Sequence, residues 1–380
     1  AGLLFLVYLS CTNPGVVPAS PTNNPSSVSD ITNNSAGMEK EAWKVKWDHL
    51  IKEAKKEGVL AIYSTAGAEV RNGIARPLQE KFGLRLEYVS GKGAEISQRL
   101  NSERRAGIYL ADIYIGGTST LLNQLKPAGI LDPLEPEMFL PEVLDPIVWY
   151  GGGIRWRDKD KSAISFLTYV IPPLVINTTL VSPNEIKSYR DLLNPKWKGK
   201  MIQNDPTVAG IGLTFFRIIG GQIMGYDYMK ELVKQEPLIL RDQRLQVEWV
   251  AQGKYAIAVA PTQEIVTYFK DSGAPLAYVL PVEGGWVAAG SGNIALVNRA
   301  PHPNAARLAI NWLLTREAQI PIRKAMGVSS ARLDVPTEGL DPATLIKPGI
   351  KYIAANSEEM ELRAAEDKKL AEEIFGSLMK

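Results

Sequence analysis

Cysteine occurs once in the 380 residues, at Cys11, and histidine twice, at His49 and His302. A single thiol excludes an internal disulfide, so the fold must rely on its core, and it excludes the clustered Cys and His ligands of a structural zinc site. The two histidines leave little material for a Ser-His-Asp arrangement. His49 falls in an opening amphipathic stretch and His302 in a Pro-flanked turn, and both read as surface residues. Charge of one sign is lacking as well: 43 Lys and Arg stand against 41 Asp and Glu, which leaves no electrostatic footprint for nucleic acid. No apolar run reaches the roughly 20 residues that span a bilayer. Patterns that approach known chemistry each miss an essential residue. Gly91-Lys92-Gly93-Ala94-Glu95-Ile96 lacks the last glycine of a dinucleotide fingerprint, and Ala289-Gly290-Ser291-Gly292 lacks the first glycine of a nucleophile elbow. Lys198-Gly199-Lys200-Met201 lacks the hydroxyl residue of a phosphate loop. Catalysis, for instance by an anchored hydrolase, is the remote reading, and no cofactor is expected.

What is present begins with the placement of Cys11. It follows the apolar run Leu3 to Leu9 and the small residue Ser10, and it precedes a polar stretch dotted with proline. The layout looks like a truncated lipoprotein signal over residues 1–11, with lipid attached at Cys11. Residues 12–40, rich in Thr, Asn, Pro, Ser and Gly, cannot offset the entropy of ordering themselves and are expected to form a flexible tether. Such a protein is exported, and is either lipid-anchored to the outer face of the cytoplasmic membrane or periplasmic.

The remaining chain is long enough for two lobes of ordinary domain size. Trp43, Trp47, Leu50, Ile51 and Ala54 recur at helical spacing over Glu41 to Glu57, and Gly58 ends the pattern. Three strand, loop, helix units follow. Val59–Tyr63 leads through Ser64-Thr65-Ala66-Gly67, Leu84–Val89 through Ser90-Gly91-Lys92-Gly93, and Ala111–Ile115 through Gly116-Gly117-Thr118-Ser119. This alternation predicts an α/β fold with a parallel sheet, and it puts three small-residue loops at the carboxyl ends of three strands, where open α/β sheets bind ligands. Each loop on its own is ordinary turn and N-cap chemistry. Converged on one edge, their backbone N–H groups and hydroxyls suit an anion.

Downstream, Tyr189-Arg190-Asp191-Leu192-Leu193-Asn194-Pro195-Lys196-Trp197-Lys198-Gly199-Lys200 enters a strand at Met201-Ile202, followed by Asn204-Asp205-Pro206-Thr207-Val208-Ala209-Gly210 and a helix. This stretch resembles the ferric-type branch of the periplasmic solute-binding proteins of ABC importers. Upstream, Trp47, Lys55-Lys56-Glu57-Gly58-Val59 and Ala111-Asp112-Ile113-Tyr114 are similar to the family's early elements. Gln252–Ala258, Pro281–Gly285, Ala300–Ala306 and Asn311-Trp312-Leu313-Leu314 are similar to its later ones.

The resemblance implies a type II periplasmic-binding-protein fold, with two α/β lobes joined by hinge strands. Residues 41–172 would form the first part of lobe 1, 173–278 lobe 2, 279–335 the return to lobe 1, and 336–380 a helical tail. It implies a small-molecule or ion ligand captured by hinge closure, an ABC permease as partner, and a monomer. One departure bears on the substrate. Members that bind bare ferric ion carry two adjacent tyrosines just after the strand matching Ala256–Val259, and this chain has Pro261-Thr262-Gln263-Glu264 there. No direct metal ligand is therefore assigned, and a ferric ion or ferric chelate is the alternative cargo. The expected ligand-binding residues are Ser64, Thr65, Gly67, Lys92, Gly93, Gly117, Thr118, Ser119, Thr207, Gly210, Thr262, Gln263 and Glu264, a set suited to an oxygen-rich anionic or zwitterionic solute. Trp149-Tyr150 before Gly151-Gly152-Gly153, and Trp286 after Gly284-Gly285, have either a stacking or a core role.

Overall fold

Amphipathic stretches and short β-rich runs alternate as expected in the computed structural model, which describes residues 29–379. The expected signal and Cys11 lie outside the described residues. Residues 46–380 form one compact unit.

In chain order, α1 (Ser29–Glu57) is followed by β1 (Val59–Ser64), α2 (Ala68–Phe82), β2 (Arg85–Ser90), α3 (Gly93–Arg105) and β3 (Ile113–Gly116). Helix α1 starts inside the stretch expected to be tether. Once the Glu41–Glu57 turns exist, each further residue adds a hydrogen bond at little extra cost, and no proline interrupts Ser29–Lys40. Next come α4 (Thr118–Thr120), which continues as a π-helical turn over Leu121–Leu125, then β4 (Leu131–Asp132), α5 (Pro141–Leu144), β5 (Ala163–Ser165) and β6 (Tyr169–Ile171). A second group contains β7 (Leu174–Asn177), β8 (Met201–Asn204), α6 (Ile211–Phe215) with a π-helical extension to Met224, α7 (Tyr226–Val233), β9 (Leu238–Leu240) and α8 (Gln243–Ala251). It ends with β10 (Ile257–Val259), α9 (Gln263–Asp271) and β11 (Leu276–Val279). The chain closes with β12 (Gly285–Ala288), β13 (Asn293–Val297), α10 (Pro303–Leu313), α11 (Arg316–Met326), β14 (Tyr352–Ala354), α12 (Glu358–Leu362) and α13 (Ala364–Phe375).

These strands form three sheets. The first has the order β2-β1-β3-β13-β4 with β5 also on β13, the second β11-β7-β10-β8-β9, and the third β14-β12-β6. In the first sheet β1 runs parallel to both β2 and β3, with Ser64 opposite Ser90 and Ile115. All three carboxyl ends therefore meet on one edge. Strand β13 runs antiparallel to β3, so its amino end reaches that same edge. In the second sheet β8 and β10 are parallel, which pairs the loops after Asn204 and Val259 in the same way.

Apolar residues of the α/β units face inward as their periodicity requires. Leu60, Ile62, Val70, Ile74 and Leu78 are fully buried. Trp47 packs edge-on to Phe82, with ring centroids 6.0 Å apart, and Phe82 packs on Trp312 at 5.6 Å. Gly83, at φ +70°, ends α2 in a left-handed turn that a Cβ would strain. Asp112 is completely buried beside β1, where it accepts hydrogen bonds from Ala61 N (2.7 Å) and His302 N (2.8 Å). His302 Nδ1 lies 3.0 Å from the same carboxylate. His302 is thus a half-buried clamp on the Asp112 carboxylate, where the sequence suggested a surface residue.

The C-terminal tail crosses between sheets. Its strand β14 pairs in parallel with β12, Trp286 lying opposite Ile353. Phe375 on α13 is fully buried, edge-on to Phe216 at 6.2 Å.

Candidate functional site

The loops at the carboxyl edge of the first sheet are tied to one another. Gly91 N donates to Ser64 O (3.1 Å), Thr65 N to Ile115 O (3.0 Å), and Gly117 N to Thr65 Oγ1 (3.0 Å). Thr65 Oγ1 also lies 3.2 Å from Ser291 Oγ, on the loop that opens β13. Ser64 is fully buried, and its hydroxyl accepts from Ala66 N (2.9 Å), so it shapes the loop from within. Gly67 and Gly117 precede α2 and α4 in extended backbone, and Thr118 is buried behind them. Lys92 precedes α3 with its side chain exposed, and its backbone N–H donates to Glu95 Oε2 (3.0 Å). At Gly93 a Cβ would stand 2.1 Å from Thr120 Oγ1, which holds the second and third loops in close approach.

The second sheet offers a matching edge. Asp205 Oδ1 accepts from both Thr207 N (2.8 Å) and Thr207 Oγ1 (2.7 Å), while Asp205 Oδ2 takes Arg241 Nε at 2.8 Å. Burial works to raise the Asp205 pKa, but the bonds from Arg241 and Thr207 outweigh it and hold the carboxyl below its ordinary range. Thr207 therefore braces the loop. Gly210 is exposed at the start of α6, with φ +152°. Thr262 Oγ1 donates to Gln243 Oε1 (2.7 Å), Glu264 is exposed, and Gln263 Oε1 is buried with no partner among the described residues. The amide of Gln203 and Nδ2 of Asn204, at the end of β8, are also buried and unpartnered there. Unmatched buried polar atoms call for a ligand or an ordered water.

A cavity of about 390 Å³ lies between Ser119 and the loop and helix that follow β8. Ser119 lines it from the first sheet, Gly210 and Thr214 from the second, and Trp286 and Ile171 from the two hinge strands β12 and β6. Of the residues expected from sequence, Ser119 and Gly210 reach this cavity. Asn356 and Glu361 of the tail complete the wall. Trp286 combines its two sequence-derived roles: its ring is fully buried against Phe215, centroids 6.4 Å apart, yet it faces the cavity and its Nε1–H has no partner among the described residues.

A family model for bacterial extracellular solute-binding proteins matches residues 73–347. The chain belongs to this family. An uncharacterised protein of Haemophilus influenzae is 22% identical over 276 residues, covering 70% of this chain and 75% of that one. Among solved structures, Trichodesmium IdiA (FutA), in complex with iron and citrate, superposes with TM-score 0.63 at 20% identity, covering 83% of this chain and 99% of that one. The periplasmic binding protein AfuA of Actinobacillus pleuropneumoniae, with fructose-6-phosphate bound, gives TM-score 0.53 at 20% identity, covering 83% and 97%. The chain is thus a bacterial extracellular solute-binding protein with the two-lobed type II fold.

In this solute-binding protein several cleft residues escaped the sequence reading. Tyr169 on β6 is one. A Cβ on Gly290 would come 2.8 Å from its hydroxyl, so Tyr169 stands over the loop that carries Ser291. Its pKa is pushed up to about 12, by burial and then by the charge of Glu264 from the second sheet's edge. Ser291 sits between Gly290 and Gly292, the same small-residue signature as the three recognised loops, but at the amino end of an antiparallel strand. Thr214, Asn356 and Glu361 carry no local signal, because only the tertiary fold brings a helix interior and the tail to the cleft. Among the described residues no group of three or more His, Cys, Asp and Glu could hold a metal ion.

Proposed function

We propose that the cleft captures a small, oxygen-rich anionic or zwitterionic solute and passes it to a membrane permease, with the protein held at the membrane by lipid on Cys11. The observation that carries this reading is the facing pair of edges across the cavity. Ser119 stands on one side, Gly210 and Thr214 on the other, and Trp286, whose buried indole N–H has no partner among the described residues, lines the wall; the Thr65–Ser291 hydroxyl pair lies on the same sheet edge as Ser119. Hydroxyls, backbone N–H groups and an unpaired indole donor suit oxygen acceptors. The proposed ligand-binding set is the sequence-derived one, joined by Thr214, Trp286 and Ser291. Ser64 and Thr207 act in it by bracing their loops. Lobes joined through β6 and β12 close around the ligand, which favours closure by its higher affinity for the closed state. The protein acts as a binder without turnover, and as a monomer.

Native mass spectrometry of freshly purified protein, with metal analysis of the same sample, tests the reading. A retained organic mass without metal supports it, and small-angle scattering should then show an expanded envelope once that ligand is removed. A stoichiometric metal without any organic mass would refute it.

A second reading, cargo in the form of a ferric chelate, draws support from the iron and citrate in the Trichodesmium structure. Here the cleft's oxygen-directed donors would hold the carboxylates of the chelator, and the same experiment would return iron together with an organic mass.

A further inference from the structure

Outside the cleft, the Trp149-Tyr150-Gly151-Gly152-Gly153 segment builds a second cavity. Trp149 is core: it is fully buried, and its Nε1 donates to Val143 O (2.7 Å). Tyr150 is not. It lines a cavity of about 310 Å³ together with Arg155, Trp156, Arg157 and, from the tail, Ala354 and Ser357. The tail residues between those two, Ala355 and Asn356, line the cleft cavity instead, so this backbone forms a wall between the two spaces.

Two guanidinium groups meet here, and among the described residues neither has a carboxylate within ion-pair distance. Among the described residues Arg155 has no ion pair and no side-chain hydrogen bond, and its guanidinium carbon lies 4.9 Å from the centroid of the Tyr150 ring. Arg157 is more than nine-tenths buried, and its Nη2 donates to Ala355 O (2.7 Å) and Asn356 O (2.6 Å), but its Nε is buried without a partner. The acids close by are engaged elsewhere. Asp158, Asp160 and Glu358 converge on Lys126 at 2.9, 2.8 and 2.7 Å, and Glu361 accepts from Asn123 (2.7 Å) and faces Arg217 (3.8 Å). Burial, and then the charge of Arg155, push the Arg157 pKa down to about 10 against the weaker, opposite pull of the Glu361 charge, the direction expected where like charges are held together. A desolvated pair of unbalanced cations is costly unless an anion completes it. Guanidinium forks match phosphate and carboxylate oxygens, and the Tyr150 and Trp156 rings offer a flat apolar wall beside them.

We propose that this cavity is a second ligand site, separate from the transport cleft, and that it takes a small organic oxyanion, a phosphate or carboxylate ester-sized group carried on a flat or apolar body. Arg155 is its primary contact, since it is only partly buried and has no ion pair among the described residues. Arg157 holds the tail backbone with one nitrogen and presents its remaining edge to the same anion.

The test is calorimetric titration of the full chain with phenyl phosphate and, separately, with benzoate, the two arms distinguishing phosphate from carboxylate recognition. Wild type should bind at least one probe. Arg155→Gln, which loses no hydrogen bond or ion pair of the fold, should weaken that binding about tenfold or more while its melting temperature without probe stays as in wild type. Tyr150→Leu, a second variant, should weaken the same probe. Ser119→Tyr, which fills the transport cleft, should leave probe binding unchanged. The proposal is overturned if wild type binds neither probe, if Arg155→Gln and Tyr150→Leu both bind as wild type does, or if Ser119→Tyr abolishes the binding.

Discussion

Arg217 Nε donates to Asp367 Oδ2 at 2.9 Å, with both side chains more than nine-tenths buried, and this pair fastens the helical segment after α6 to the C-terminal helix α13. Arg217 also reaches Glu361 at 3.8 Å and donates through Nη2 to Met360 O, so one guanidinium gathers three points of the tail. Because Arg217 lines the cleft cavity as well, the tail is part of the architecture that shapes the cleft.

Removing Asp367 leaves the buried Arg217 with only the longer, 3.8 Å approach of Glu361 to balance its charge. Asp367→Ala should lower unfolding stability by about 3–5 kcal/mol, whereas the double change Arg217→Met with Asp367→Leu should recover most of the loss. Chemical denaturation of the single and double variants checks this. A single variant as stable as wild type would mean that the pair contributes nothing.

Phe375 fills the space between the tail and the second sheet's helices. Phe375→Ala should cost about 3–5 kcal/mol, since it removes a fully buried aromatic ring. Truncation from Ala355 onward should lower the melting temperature further, because it removes Phe375 and the Asp367 partner of Arg217 together. Retained melting temperature with lost transport in membrane vesicles would instead mark the tail as a partner-docking element.

Gly212 presses α6 against the end of β8. A Cβ there would lie 2.4 Å from Asp205 O and 2.5 Å from Asn204 O, and backbone atoms cannot rotate away. Gly212→Ala should destabilise by about 1–3 kcal/mol and displace the Asp205–Gly210 loop, with weaker capture of whatever solute copurifies. Gly93→Ala is a useful contrast: its Cβ would meet a threonine side chain, Thr120 Oγ1, whose relocation should make that variant the milder of the two. Equal stability of Gly212→Ala and wild type in a urea titration would contradict this geometry.

Asp205 predicts a pH dependence of defined sign. Its folded-state pKa is depressed, so its contribution to stability is fully present above the unfolded value of about 3.9 and is lost as pH falls through the lower, folded value. Thermal melts from about pH 2 to pH 7 should show wild type losing more stability than Asp205→Asn on the acid side of about pH 4. Parallel curves would remove Asp205 from the account.

Periodicity and turn chemistry were sufficient for the α/β units. The Val59–Tyr63 run became β1 with one more residue, Ser64, and the Trp47, Leu50 and Ala54 spacing that stops at Gly58 became the end of α1 at Glu57, because β-rich runs and helical spacing are local properties of the chain. The order and spacing of the motifs also sufficed for the family and its two-lobed fold. The sequence likewise located the small-residue loops at strand ends, since a parallel sheet leaves them no other edge.

What those loops do with their side chains was decided by tertiary structure. The hydroxyls of Ser64 and Thr207 are committed to their own turns, while Ser119 and Gly210 face the cavity, a distinction set by which hydrogen bonds the assembled sheet leaves open. Ser291 met Thr65 through the antiparallel return strand β13, and Asn356 and Glu361 reached the cavity through a tail whose strand β14 pairs with β12. Those pairings join residues far apart in sequence, and long-range register is an energetic outcome of the whole fold that no local pattern encodes.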